Sequence, residues 1–110
     1  MNWIELHNLN SLESIKEKSF QRVQVIFKHS TSCSISSVVK NRLERSHSPT
    51  EIDFYYLDLI KYRDISNAIA SLFDVHHESP QVIVLKNGEC IYDDSHYGIM
   101  MEDIIEQACL

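Results

Sequence analysis

Cys33 is the residue best suited to carry chemistry in this chain. It lies in the polar segment His29-Ser30-Thr31-Ser32-Cys33-Ser34, after an apolar β-rich stretch and before apolar residues at helical spacing. The pattern predicts a cysteine at the start of a helix. A thiolate there meets the positive end of the helix dipole, and such surroundings lower a cysteine pKa from about 8.5 to roughly 3.5–7.5. The alternative, a small buried core cysteine, is less favoured because serines flank Cys33.

The residues on both sides of Cys33 are expected to support the sulfur. Two hydroxyl residues before it are candidate helix caps: Thr31 and Ser32. The first helical turn should offer unpaired amides to the thiolate, those of Ser34, Ile35 and Ser36. We also expect the Ser36 hydroxyl to point at the sulfur, and Lys28 and His29 to add positive charge nearby. This Cys-x-x-Ser motif is weak alone and gains specificity from its place between a strand and a helix.

The other two cysteines, Cys90 and Cys109, have ordinary interpretations. An odd number of cysteines without a secretion signal does not suggest a disulfide framework. The sequence has no Cys-x-x-Cys or Cys-x-x-His pair, so we expect no metal site. We predict that Cys90 packs against the core or is half-exposed, and that Cys109 is incidental to function.

Composition excludes several classes of function. A net charge of −6 argues against a nucleic-acid-binding surface, and only two glycines exclude the glycine-rich phosphate loops. No apolar run approaches the roughly 20 residues that cross a membrane. The first residues lack the pattern of a secretion signal, so a cytoplasmic location is expected. We predict one domain, residues 1–110.

The remaining elements follow from periodicity and turn residues. Strands are predicted at 22–28, 51–59, 81–85 and 89–92, and Asn87-Gly88 predicts a hairpin between the last two. Residues 3–6 form either a short edge strand or a loop. Four helices are predicted. The first runs from a Ser11 cap through residue 18, and the second from Cys33 to about residue 46. The third ends at Leu72, and the fourth runs from Ser95 or Gly98 to the end of the chain. The fold class is therefore α/β, a mixed four-stranded sheet with helices on both faces and a possible fifth strand.

Helical spacing also predicts which side chains are buried. In the helix after Cys33 the apolar stripe consists of Ile35, Val38, Val39 and Leu43. In the last helix it consists of Met101, Ile104, Ile105 and Ala108. His76 and His77, next to each other before Pro80, are expected to be loop histidines near the substrate site.

Ser79-Pro80 stands immediately before the third predicted strand. Only about 5–6% of X–Pro bonds are cis, so frequency alone favours a trans bond. The order strand, cysteine-bearing helix, strand, helix, loop, proline, strand nevertheless resembles the thioredoxin fold over nearly the whole chain. The resemblance implies that the Ser79-Pro80 bond is cis and that the Ser79 backbone pairs with the bound thiol substrate.

Residues 27–36 (FKHSTSCSIS) resemble more closely a family of single-domain bacterial stress proteins, the monothiol bacilliredoxins. Residues 78–81 (ESPQ), 86–88 (KNG) and 95–96 (SH) are similar to segments of the same family, in the same order. Ser34 departs from the proline expected there. This departure leaves the redox potential undetermined, but it does not change the resemblance to the family.

The resemblance implies thiol–disulfide exchange by Cys33. Cys33 would take bacillithiol from a mixed disulfide with a protein, and a second thiol would regenerate it. Because position 36 is a serine, a two-cysteine cycle is not expected. The residues implied in substrate binding are Lys28, Thr31, Ser32, Ser34, Ile35, Ser36, Ser79, Pro80, Ser95 and His96.

The expected co-substrate is bacillithiol, with no bound cofactor and no metal, and the expected partners are S-thiolated proteins. Neither nucleic acid nor membrane is an expected partner. The edge strand of the hairpin leaves monomer and weak dimer both open. The alternative function is a thioredoxin-like module that binds proteins in a stress response without turnover.

Overall fold

The computed structural model describes residues 1–108 of the chain. The strands are β1 (Trp3–Glu5), β2 (Gln24–His29), β3 (Asp53–Asp58), β4 (Gln81–Lys86) and β5 (Glu89–Ser95). The helices are α1 (Ser11–Lys18), α2 (Ser34–Arg45), α3 (Arg63–Leu72) and α4 (Met101–Ala108). A short 3-10 turn, His96–Gly98, lies between β5 and α4.

The strands form one mixed sheet in the order β1-β3-β2-β4-β5. β2 lies at its centre, parallel to β3 and antiparallel to β4. This position explains the apolar run Val25-Ile26-Phe27, because a central strand is covered on both faces. Residues 3–5 are a fifth strand and not a loop, since Trp3 pairs in parallel register with Phe54. The predicted α/β mixed sheet is confirmed.

Two apolar layers cover the two faces of the sheet. One face packs against α1 and α3, with Ile26 of β2 among their buried side chains. The other packs against α2 and α4, with Val25 and Phe27 of β2 among theirs. Successive residues of a strand point to opposite faces. Neighbouring residues of β2 therefore face different helices, a fact that decides the surroundings of Lys28 and His29.

The hairpin between β4 and β5 confirms the turn signal, but β5 is longer than predicted. Asn87 and Gly88 have φ of 54° and 79°, as a type I′ turn requires. Asp93 and Asp94 continue the pairing, opposite Ile83 and Val82. The prediction that the last helix begins at Ser95 or Gly98 is therefore wrong. Aspartate is a poor strand former, and the pairing with β4 overrides that preference here.

Two details of the helices also differ from prediction. Val38 is 46% exposed, whereas the buried side chains of α2 are Ser36, Val39 and Leu43. Val38 lies about 100° around the helix from Val39, which turns it away from the sheet. In α1, Ser11 is the first helical residue and Asn10 is the N-cap, so the prediction that Ser11 caps this helix is wrong.

Gly88→Ala should destabilise the protein by about 1–2 kcal/mol, the usual cost of a left-handed backbone for a residue with a Cβ. The added Cβ would also stand 2.7 Å from the end of the Phe20 ring. Urea unfolding measures the change. Asn87→Gly, which keeps a residue suited to positive φ, is the control. Equal stability of Gly88→Ala and wild type would contradict this account of the turn.

Candidate active site

Cys33 occupies the N-cap position of α2, with extended backbone angles of φ −110° and ψ 121°. β2 ends four residues earlier, and the Cys33 N–H donates to the Ser30 carbonyl at 3.2 Å to close the connecting turn. The thiol is half-buried. The first amides of a helix lack intrahelical acceptors. The Cys33 side chain nevertheless makes no capping hydrogen bond to them, so the expected hydrogen bonds from these amides to the sulfur are not formed in this structure. Thr31 and Ser32, both exposed, precede the cap, and the prediction that they cap the helix is wrong.

The Ser36 side chain is turned toward His29 and not toward the sulfur. Its hydroxyl lies 2.6 Å from His29 Nδ1, and it accepts the Ser30 N–H at 3.0 Å. Ser36 is fully buried, so these two contacts satisfy a hydroxyl that would otherwise be costly to bury. The expectation that it approaches the Cys33 thiol is wrong. Ser36 instead ties the first turn of α2 to the end of β2.

His29 is a neutral structural residue in this arrangement. Its ring packs between Phe27 and Tyr56, with centroid distances of 5.8 and 5.5 Å. Burial lowers the pKa of His29, and the Lys40 ammonium lowers it further against the opposing charges of Asp58 and Glu44. At pH 7 the imidazole is thus uncharged. The expectation that His29 adds positive charge near the sulfur is wrong.

The Ser79-Pro80 bond is cis, as the resemblance implied. The Pro80 carbonyl accepts the His96 N–H at 3.0 Å, and Gln81 pairs with Ser95. The structure therefore brings together two segments that are separated by fifteen residues in the chain. His96 belongs to the 3-10 turn with φ of 57°, and not to the start of the last helix as expected.

The 3-10 turn is fixed against α2. The Arg42 guanidinium donates to the carbonyls of Tyr97 and Ile99, both at 2.9 Å. Sheet register completes the arrangement, because Lys28 near the end of β2 pairs with Gln81 at the start of β4. Cys33 follows β2 and Pro80 precedes β4, so both lie at the same end of the sheet.

Lys28 is fully buried, although sequence reasoning placed it beside the substrate. It alternates with His29 and so points to the face of α1 and α3, whereas Cys33 begins a helix on the other face. Its ammonium donates to His77 Nδ1 at 2.8 Å. Burial lowers the pKa of Lys28 to about 8, against the raising effect of Glu78. A side chain in this position does not contact a ligand at the surface.

Two part-buried contacts of the loop before Pro80 were not predicted from the sequence. His76 is exposed, but His77 turns inward to Lys28 and lies 3.4 Å from the Ser66 hydroxyl. Gln81, also fully buried, donates from Nε2 to the His76 carbonyl at 2.9 Å and accepts the Glu78 N–H at 3.2 Å. The adjacent histidines were visible in the sequence, yet nothing in it told which one faces inward.

Comparison with known proteins agrees with this geometry. The family model described as "Monothiol bacilliredoxin BrxC" matches residues 4–104. The chain belongs to the monothiol bacilliredoxin family. The resemblance found in the cysteine, proline and hairpin segments is thereby confirmed, and the family assigns the chain a redox role.

Solved structures place this bacilliredoxin in the thioredoxin fold. A protein described as having that fold is 29% identical, with a TM-score of 0.82, covering 94% of this chain and 91% of its own. Thioredoxin from Plasmodium falciparum is 14% identical, with a TM-score of 0.76 and coverage of 97% and 99%. Thioredoxin from Malassezia sympodialis is 18% identical, with a TM-score of 0.75 and coverage of 97% and 91%.

Cys90 occupies a different part of the bacilliredoxin from Cys33. It pairs with Leu85 near the hairpin and packs, half-buried, against the core of the α1 and α3 face, as predicted. Burial raises the pKa of the Cys90 thiol, and the Asp93 carboxylate raises it further. Cys109 lies outside the described residues. Within residues 1–108, no group of three metal-ligating side chains could hold an ion, and no helix is long and apolar enough to cross a membrane.

Ser36→Ala should lower the free energy of unfolding by about 1–3 kcal/mol, because the Ser30 N–H and His29 Nδ1 lose a buried partner. Ser37→Ala is the matched control, since Ser37 is exposed on the next position of α2. Urea unfolding of the two variants gives the comparison. Similar small losses in both would contradict the role given to the Ser36 hydroxyl.

Lys28→Met should change how stability depends on pH. Burial lowers the pKa of Lys28 to about 8 in the folded protein, whereas the ordinary lysine pKa, which applies in the unfolded chain, is 10.5. Between these values the unfolded chain binds more protons, so wild type gains stability as the pH rises. The variant lacks this gain. We expect its stability relative to wild type to fall by up to about 1.4 kcal/mol per pH unit across that window.

Urea unfolding of both proteins at several pH values from 7 to 10.5 measures this difference. The same tyrosines titrate in both proteins, so their contribution cancels. Lys86→Met, at a half-exposed lysine of β4, is the control for loss of a lysine without full burial. If the difference in stability between Lys28→Met and wild type stays constant over this range, the claim that the buried Lys28 ammonium loses its proton near pH 8 in the folded protein is wrong.

Proposed function

We propose that this protein removes bacillithiol from mixed disulfides with proteins, with Cys33 as the nucleophile. The observation that carries the proposal is the position of Cys33 as the N-cap residue of α2, at the same end of the sheet as Pro80. Amides at a helix start stabilise negative charge, which suits a sulfur that must attack as a thiolate. Membership of the monothiol bacilliredoxin family supports the choice of bacillithiol.

The first step exchanges one disulfide for another. The Cys33 thiolate attacks the bacillithiol sulfur, the bond between bacillithiol and the target breaks, and the target leaves as a thiolate that takes a proton from water. Cys33 then carries bacillithiol in a mixed disulfide. A second bacillithiol thiolate attacks that disulfide, releasing the Cys33 thiolate and oxidised bacillithiol. One disulfide is conserved throughout: the bond between the target and bacillithiol is replaced in the end by the bond of oxidised bacillithiol. The second bacillithiol, which enters as a thiol, is therefore the reductant of the target.

The placement of the cysteines supports a cycle that uses an external second thiol. Position 36 is a serine held by His29, so the usual site of a second cysteine is filled by a structural contact. Cys90 pairs with Leu85, four residues along β4 from Gln81, which is about 13 Å at the usual strand rise. Its thiol lies on the face opposite α2. Neither position provides an internal resolving thiol for Cys33.

The surface near Cys33 supports a small thiol and a protein chain as joint substrates. Thr31, Ser32 and Ser34 are exposed polar residues around the cysteine, and Ile35 is half-buried. We propose that these residues contact bacillithiol. The Ser79 backbone, beside cis-Pro80, would pair with the target segment, and Ser95 and His96 would flank it. The pairing is a short β-augmentation.

A Cys33→Ser variant should lose the transfer of bacillithiol. The wild-type protein, mixed with a protein carrying bacillithiol as a disulfide, should release that protein and gain the mass of one bacillithiol on Cys33. Intact mass spectrometry with peptide mapping measures both products. Cys90→Ser is the matched control and should transfer as wild type does, because Cys90 is remote from the site.

Removal of bacillithiol from the target at an equal rate by Cys33→Ser would refute the proposal. Stable capture of the target by Cys33→Ser without any transfer by wild type would favour the non-catalytic binding module instead.

A further inference from the structure

Lys28 carries a buried charge that the exchange step does not use. Its side chain is fully buried on the sheet face that α1 and α3 cover, and its register partners on the neighbouring strands β3 and β4 are Leu57 and Gln81. Lysine is almost never fully buried without a partner, since the ammonium loses its hydration. The contacts of this ammonium lead to the loop that carries Pro80.

The contact between Lys28 and His77 joins the central strand to that loop. The ammonium donates to His77 Nδ1 at 2.8 Å, which requires a neutral imidazole with its proton on Nε2. Burial lowers the pKa of His77, and the positive charges of Lys28 and Arg63 lower it further against Glu78. The neutral form is therefore the one present at pH 7. His77 stands three residues before Pro80, and the Ser66 hydroxyl of α3 lies 3.4 Å from the same nitrogen.

Gln81 fixes the same loop from its other end. It is the residue after Pro80 and the register partner of Lys28. Its amide binds the His76 carbonyl and the Glu78 N–H, and it donates to Asp93 of β5 at 3.2 Å. The loop from 76 to 80 is thus anchored by the side chains of two residues that face each other on β2 and β4.

We propose that Lys28 is a positioning residue for the exchange reaction, holding the 76–80 loop through His77 so that the Ser79 backbone can pair with a disulfide at Cys33. The inference rests on the proposed function, because that function supplies the disulfide with which the loop would pair. The contact between Lys28 and His77 is a feature of the fold and does not depend on it. Lys28 acts from the opposite face of the sheet and touches neither the sulfur nor the substrate.

Three variants test the contact from both of its ends. Lys28→Met removes the donor and keeps an unbranched apolar stem, His77→Leu removes the acceptor, and His77→Gln keeps an acceptor oxygen. Lys86→Met, at the hairpin end of β4, is the matched control. The substrate is a peptide that carries bacillithiol as a mixed disulfide. Steady-state exchange gives KM and kcat, and hydrogen exchange of the Glu78 amide reports the loop without any substrate.

We expect Lys28→Met and His77→Leu to raise KM about tenfold with kcat within about twofold of wild type, the pattern of lost binding rather than lost chemistry. The Glu78 amide should exchange faster in both variants, because its acceptor Gln81 lies in the loosened loop. His77→Gln should restore both values toward wild type. A purely structural role for Lys28 would lower stability without this division between KM and kcat.

The proposal is overturned if Lys28→Met keeps the wild-type KM, if Lys86→Met raises KM equally, or if His77→Gln behaves as His77→Leu does. If wild type shows no exchange at all, the proposed function fails, and hydrogen exchange decides the remaining claim. Unchanged exchange of the Glu78 amide in Lys28→Met then refutes the holding role, and faster exchange supports it.

Discussion

The antiparallel pairing of β2 with β4 is the constraint on which the site depends. Cys33 follows the end of β2, and Pro80 precedes the start of β4. Because β2 and β4 run antiparallel, the end of β2 lies beside the start of β4, and Lys28 pairs with Gln81. Parallel pairing of the same strands would separate the two by the length of β2, about 20 Å at the usual rise. The direction of one central strand therefore decides whether a nucleophile and a substrate-pairing loop can meet.

Two consecutive residues at the end of β2 support the site from opposite faces. His29 contacts Ser36 and so fixes the first turn of α2, the helix whose N-cap position Cys33 occupies. Lys28 contacts His77 in the loop that leads to Pro80. Both side chains are buried polar groups, which a fold retains at a cost unless their hydrogen bonds are satisfied. Their alternation across one strand links the thiol and the proline loop to a single rigid element.

A single-cysteine cycle agrees with how the interior is arranged. The place of a second cysteine in the motif is taken by Ser36, whose hydroxyl serves the backbone and His29. A thiol there would be a weaker hydrogen-bond partner for both. Cys90 contributes to the apolar layer on the other face. Under the proposed function, specificity then comes from the external thiol and from the surface that surrounds Cys33.

Much of the fold could be predicted because it depends on local patterns. Apolar runs, helical spacing and the Asn87-Gly88 turn indicated the central strands, the helices and the hairpin, and separated motifs indicated the family. The errors lay where partners override local preference. β5 extends through Asp93 and Asp94 because β4 pairs with them, and the orientation of Val38 follows from how α2 meets the sheet.

The sequence by itself thus determined the order of elements, the cysteine at a helix start and the proline before β4. Only the tertiary structure decided that Ser36 faces His29, that Lys28 faces His77 and that His96 lies beside Pro80. The physical reason is that these contacts join residues distant in the chain. Their geometry follows from the register and pleat of paired strands, which side-chain type alone does not specify.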